Sequence, residues 1–146
     1  MDFDHQTTVE IDNIKSELYS ALDKLIKGCE TLDMKLAFEI FSDSASFLMM
    51  GTDGSLCDYQ TYLKNNIDYL KDCNSFKLNT FKKEIRIINK ETAVLSWAYG
   101  VEAKLKTGEV DLIDNAGASF VFSKIQGNWK VVYYHESSVS WKRIKA

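Results

Sequence analysis

Few residues of this 146-residue chain combine the type and the setting that chemistry needs, and they gather late in it. In the run Trp129-Lys-Val-Val-Tyr-Tyr-His-Glu-Ser-Ser138, strand alternation puts Trp129, Val131, Tyr133, His135 and Ser137 on one face. A histidine and a serine continuing an apolar row predict a core face that opens into a cavity. His135 would serve there as a proton shuttle or as a hydrogen-bond anchor for a ligand carbonyl. The plainer alternative is a half-buried histidine bonded to a neighbouring backbone or tyrosine group. Asp114 is the second catalytic candidate, a carboxylate in step with an apolar face. Desolvated, it would act as a base or, protonated, as a donor to an oxyanion. The alternative is a β-bulge in Asp114-Asn-Ala-Gly117 that turns it to solvent. Tyr99 and Tyr133 could donate to an oxyanion or pack with satisfied hydroxyls, while Trp97, Phe120 and Met49 would wall a ligand site.

Other chemistries lack their residues. The chain has no nucleotide-binding glycine loop, no Gly-x-Ser-x-Gly elbow and no His-Glu-x-x-His. Its histidines are His5 and His135, and Cys29, Cys57 and Cys73 fall in no metal-ligand spacing, so neither metal nor cofactor is expected. A net charge of −3 leaves no basic footprint for nucleic acid or an anionic membrane. Met1-Asp-Phe-Asp-His5 lacks the basic-then-apolar pattern of a signal peptide, and no apolar run nears the roughly 20 residues that span a bilayer. A cytoplasmic, reducing setting is expected.

The elements that must position these side chains fall into two blocks. Residues 7 to 28 read as an amphipathic helix, with Val9, Ile14, Leu18, Leu22, Leu25 and Ile26 at helical spacings, Thr8 as cap and Gly28 as stop. A shorter helix fits Asp33 to Phe41, capped by Thr31 or Asp33, and a strand fits Ser44 to Gly51. Asp58 opens a third helix that ends near Asn74. Long strands follow at 75–88, 92–106, 109–123 and 129–139, with turns at Asn89-Lys-Glu91, Thr107-Gly108 and Gln126-Gly-Asn128. Helices first and an antiparallel meander afterwards make one α+β domain over 1–146, with 1–6 and 141–146 as frayed tails.

Pairing fixes which residues meet. A two-residue loop at Thr107-Gly108 carries Leu95 opposite Phe120, Trp97 opposite Ala118, Tyr99 opposite Ala116 and Val101 opposite Asp114. A two-residue turn at Gln126-Gly127 pairs Ile125 with Asn128 and sets Tyr133 beside Phe120 and His135 beside Ala118. A slip of two residues keeps the same faces. The aromatic side suits helices packed on a curved sheet. The opposite side, with Ser96, Ala98, Gly100 and Gly117, suits a second copy of the chain.

This order of elements resembles the SnoaL-like branch of the nuclear transport factor 2-like (cystatin-like α+β) superfamily. The likeness rests on Phe47-Leu-Met-Met-Gly-Thr-Asp53, the Gly127-Asn-Trp129 turn and the strand ending His135-Glu-Ser-Ser138. It implies a half barrel of curved antiparallel sheet, three N-terminal helices closing a deep pocket on its concave face, and homodimers through the sheet. Members include ketosteroid isomerases, polyketide cyclases and dehydratases, beside kinase association domains that bind or assemble. The resemblance thus implies a small, mostly apolar ligand with a carbonyl or hydroxyl, handled by proton transfer or merely bound. Asp53 lies where the isomerases place their base, but without the proline that follows it there. Gly51-Thr-Asp-Gly54 reads instead as a turn whose carboxylate bonds its own backbone.

Overall fold

The computed structural model describes residues 7–145; the tail expected at 1–6 lies outside them. Helix α1 (Thr8–Glu30) opens with a capping box, in which Thr7 and Glu10 satisfy each other's backbone N–H groups. The cap is thus one residue earlier than the spacing predicts. The helix also runs past Gly28, which has a different reason to be glycine. A Cβ there would lie 2.6 Å from Ala37 Cα and 2.7 Å from Ala37 Cβ, so α1 and the next helix touch backbone to backbone.

That helix, α2 (Met34–Ala37), is capped by Asp33 and tightens into a 3₁₀ turn at Phe38–Ile40. Two short strands, β1 (Leu48–Met50) and β2 (Leu56–Cys57), flank the Gly51-Gly54 turn. The second of them is too short to leave an alternation in the sequence. Asp58 caps α3 (Tyr59–Lys71) through Thr61 N–H at 2.8 Å.

The meander follows as β3 (Cys73–Asn89), β4 (Thr92–Leu105), β5 (Val110–Ile125) and β6 (Asn128–Ser138). The sheet order is β2-β1-β6-β5-β4-β3, antiparallel except that β1 runs parallel to β6. It is therefore a mixed sheet, curved around the three helices as expected. The buried cluster lies between them, with Leu18, Leu22, Leu95, Phe120, Phe122 and Val131 essentially solvent-free.

A last strand, β7 (Lys142–Ile144), pairs with Val110–Leu112 of β5. The segment 141–145 is therefore a strap on the sheet, not a frayed tail. Asp111, 2% exposed, ties it down. Arg143 Nε and Nη2 donate to its two carboxylate oxygens at 2.7 and 2.9 Å, and Tyr69 Oη donates at 2.7 Å.

Two bulges decide which residues face the helices. From Ala93 to Tyr99, β4 meets β5 in the expected register, with Leu95 opposite Phe120 and Trp97 opposite Ala118. Beyond Tyr99 the pairing slips, and Val101 meets Ile113 rather than Asp114. The second bulge is in β6. Ile125 pairs with Asn128 and Phe122 with Val131 as expected, but Val121 then pairs with Tyr133, leaving Val132 as the extra residue. Every residue after it changes face.

Candidate active site on the concave face

The β6 bulge replaces the expected histidine with its neighbour. Ala118 pairs with Glu136, and Ser119 pairs with His135. Across the sheet, Trp97, Ala118 and Glu136 form the inner row, while Ser96, Ser119 and His135 form the exposed outer one. Tyr134 points inward, 3% exposed, in the place expected for Tyr133. His135 and Tyr133 are thus corrected to the outer face. Asp114 is corrected too: the β5 bulge turns it to solvent, where Lys142 Nζ lies 3.7 Å away. Ile113 takes the inner position instead.

Between the inner face and the helices is a cavity of about 220 Å³. Eight of its sixteen described lining residues are aromatic, and Glu136 is the one charged residue among them. Two expected ligand contacts, Trp97 and Tyr99, do line it. Their rings stack at 3.8 Å between centroids and 14° between planes, and Trp97 Nε1 donates to Thr80 Oγ1 at 2.9 Å. Phe120 and Met49 are not lining residues. Phe120 is fully buried behind Tyr134, with ring centroids 4.8 Å apart, and Met49 is buried under β2 near Cys57.

Polar groups gather at Glu136. Tyr134 Oη donates to Glu136 Oε2 at 3.1 Å. Burial pushes the Glu136 carboxyl above the ordinary carboxylate range, opposed by that hydrogen bond and by the charge of His135. Tyr62, Tyr99 and Tyr134 are all raised above the usual phenol value, first by burial and then by Glu136. These phenols keep their protons at neutral pH and remain donors. Burial pushes the Cys29 thiol up to about 12, so the cavity's one cysteine is no nucleophile. Tyr69 also lines the cavity, but its hydroxyl is committed to Asp111.

A protonated carboxyl among phenols can donate to a ligand oxygen; ionised, it can take a proton from a ligand carbon or hydroxyl. Asp53, by contrast, serves its own turn. Its Oδ1 accepts from Ser55 N–H at 2.9 Å and Ser55 Oγ at 2.6 Å, which holds its carboxyl below the ordinary range. Among the described residues, no group of three or more His, Cys, Asp or Glu could hold a metal ion.

A curved sheet wrapped on three helices, with an aromatic cavity between, defines the nuclear transport factor 2-like, SnoaL-like class of cystatin-like folds. Within that class, residues 14–140 match the calcium/calmodulin-dependent protein kinase II association domain, and the chain belongs to that family. No curated protein sequence matches it. A nuclear transport factor 2-like superfamily protein from Salmonella enterica superposes with a TM-score of 0.79 at 17% identity, over 89% of this chain and 94% of that one. A hexachlorocyclohexane dehydrochlorinase from Novosphingobium barchaimii gives 0.76 at 8% identity over 94% of both chains. An uncharacterised cystatin-like protein from Caulobacter vibrioides gives 0.70 at 13% identity, over 86% and 89%. Identities this low show the fold alone.

Proposed function

We propose that this protein binds a small, mostly apolar molecule in the concave cavity, with the ligand's carbonyl or hydroxyl placed against Glu136. The observation that carries this reading is a half-buried carboxyl, the one charged group among the described lining residues of an aromatic-walled cavity, beside three protonated phenols. Such a site supports proton transfer next to a carbonyl, as in isomerisation, cyclisation or dehydration. Glu136 takes over the acid–base role expected of His135 and Asp114, and Tyr99 or Tyr62 is the donor to the developing oxyanion. A cofactor is not needed for that chemistry. The dehydrochlorinase likeness supports the same reading by analogy of fold.

The test is deuterium uptake beside the carbonyl of a panel of small cyclic ketones and enones, followed by NMR in heavy water. The native chain should accelerate exchange of at least one panel member, and Glu136→Gln should lower that rate by roughly 10²- to 10⁴-fold. Equal exchange in both proteins would remove Glu136 from the chemistry.

A second reading, assembly without turnover, is favoured by the match to a kinase association domain. In either case we place the interface between copies on the outer sheet face. There the exposed Ser96, Ala98, Ser119 and His135 floor an open groove of about 490 Å³. Three free cysteines suit a reducing, cytoplasmic setting, and among the described residues no helix is long and apolar enough to cross a membrane.

A further inference from the structure

Of the described residues that line the concave cavity, Trp141 alone is exposed, at 57%. It belongs to no helix and to none of the four long strands. It sits at the start of the strap, just past the last residue matched to the family. Its indole is held from the strap side: the Arg143 guanidinium lies over the ring at 5.3 Å. Arg143 is in turn bound through two nitrogens to the buried Asp111, and the same carboxylate accepts from Tyr69, itself a cavity residue. One carboxylate therefore joins the strap, the floor strand β5 and a helix that walls the cavity.

The rest of the strap is thinly attached. Lys142, Arg143 and Ile144 are all exposed, and the strand pairs with only three residues of β5. A segment with so little buried apolar surface opens locally at far lower cost than the sheet beneath it. Among the described residues the Arg143–Asp111 pair is its strongest anchor, and when the half-exposed Arg143 swings away, Asp111 keeps the Tyr69 hydroxyl as a donor.

We propose that the strap is part of the ligand site. Trp141 is a ligand-contacting wall that limits the closed cavity to single-ring molecules, and the Arg143–Asp111 pair latches it. This rests on the concave cavity being the ligand site. A cavity of about 220 Å³ lies below the ~300 Å³ at which ordinary ligand pockets begin, which is why the wall sets the size. Ligand enters and leaves when the latch opens, and a two-ring ligand fits only with Trp141 swung away.

The test uses the full chain with acetophenone and acetonaphthone as one-ring and two-ring probes. Binding and exchange rates are read from the backbone amide signals of Tyr134 and Glu136 by NMR. The native protein should bind acetophenone and discriminate against acetonaphthone. Trp141→Ala, a change at a half-exposed ring, should tighten acetonaphthone by about 10-fold or more relative to acetophenone. Arg143→Met should raise the acetophenone dissociation rate by about 10-fold while Kd moves less than about 3-fold, the signature of a gate rather than a contact. If the two-ring discrimination and the dissociation rate are unchanged in these variants while both probes still shift Glu136, the strap proposal is overturned and the cavity reading stands. If neither probe shifts Tyr134 or Glu136 in any variant, the cavity reading fails and the strap proposal with it.

Discussion

Among the described residues, Tyr134 is the one hydrogen-bonding partner of the Glu136 carboxyl, and no cation lines the cavity beside it. A carboxyl in that position is easier to keep protonated in the folded chain than in the unfolded one, so the folded state binds the extra proton. Linkage then gives the sign: below the ordinary carboxylate range both states are protonated and Glu136 has no effect. As pH rises through that range towards the raised folded value, its presence lowers stability. Glu136→Gln should therefore match the native chain in urea unfolding near about pH 3 and exceed it near about pH 8. A native chain that gains on the variant as pH rises would show a stabilised carboxylate and sink the desolvation argument. The importance of this residue was within one position of being legible. Val131-Val-Tyr-Tyr134 reads as an apolar row in either strand parity, so alternation could not tell His135 from Glu136 as the inward residue. Asp114 left a better trace: a carboxylate in an apolar row beside Asn115 and Gly117 does mark a bulge.

At the scale of elements, most boundaries were legible because caps and turns use distinctive residues. Asp33, Asp58 and Gly127 do what their types predict. What stayed hidden were events without a residue signature: the Val132 bulge, the two-residue β2 and the strap. The strap's anchor joins positions 32 residues apart, and neither looks unusual by itself. Gly28 shows the same limit, since a glycine near a helix end reads as a stop, whereas here it permits contact. Helix propensity alone says that Gly28→Ala should stabilise α1 by up to about 1 kcal/mol. Packing reverses the sign, because the new methyl would collide with the Ala37 backbone, which cannot yield as a flexible side chain can. We expect a net loss of about 1–3 kcal/mol in urea unfolding. A stabilised variant would mean that α1 and α2 do not approach as described.

For the whole molecule, the outer sheet face is the surface that no helix or strand of the described residues covers. Its central row of Glu84, Ser96, Ser119 and His135 is exposed, and its side chains are short where β4 and β5 cross it. Short side chains let a second sheet come close, and a face of mixed polarity is what separable interfaces present. A stable pair needs about 800 Å² from each copy, a modest share of the 8642 Å² that one chain exposes. The inner face cannot serve this purpose, because α1 and α3 already cover it. Ala98 lies on the floor of the outer groove, exposed and paired with Gly117 and Lys82, so a long charged side chain there would project at the partner without entering the core. Sedimentation at micromolar concentration should show the native chain as a dimer and Ala98→Arg as a monomer. Cavity binding should survive in that variant, since the two faces of the sheet are separate surfaces. A native chain that sediments as a monomer would leave the short side chains of the outer face to be explained by something other than a second copy.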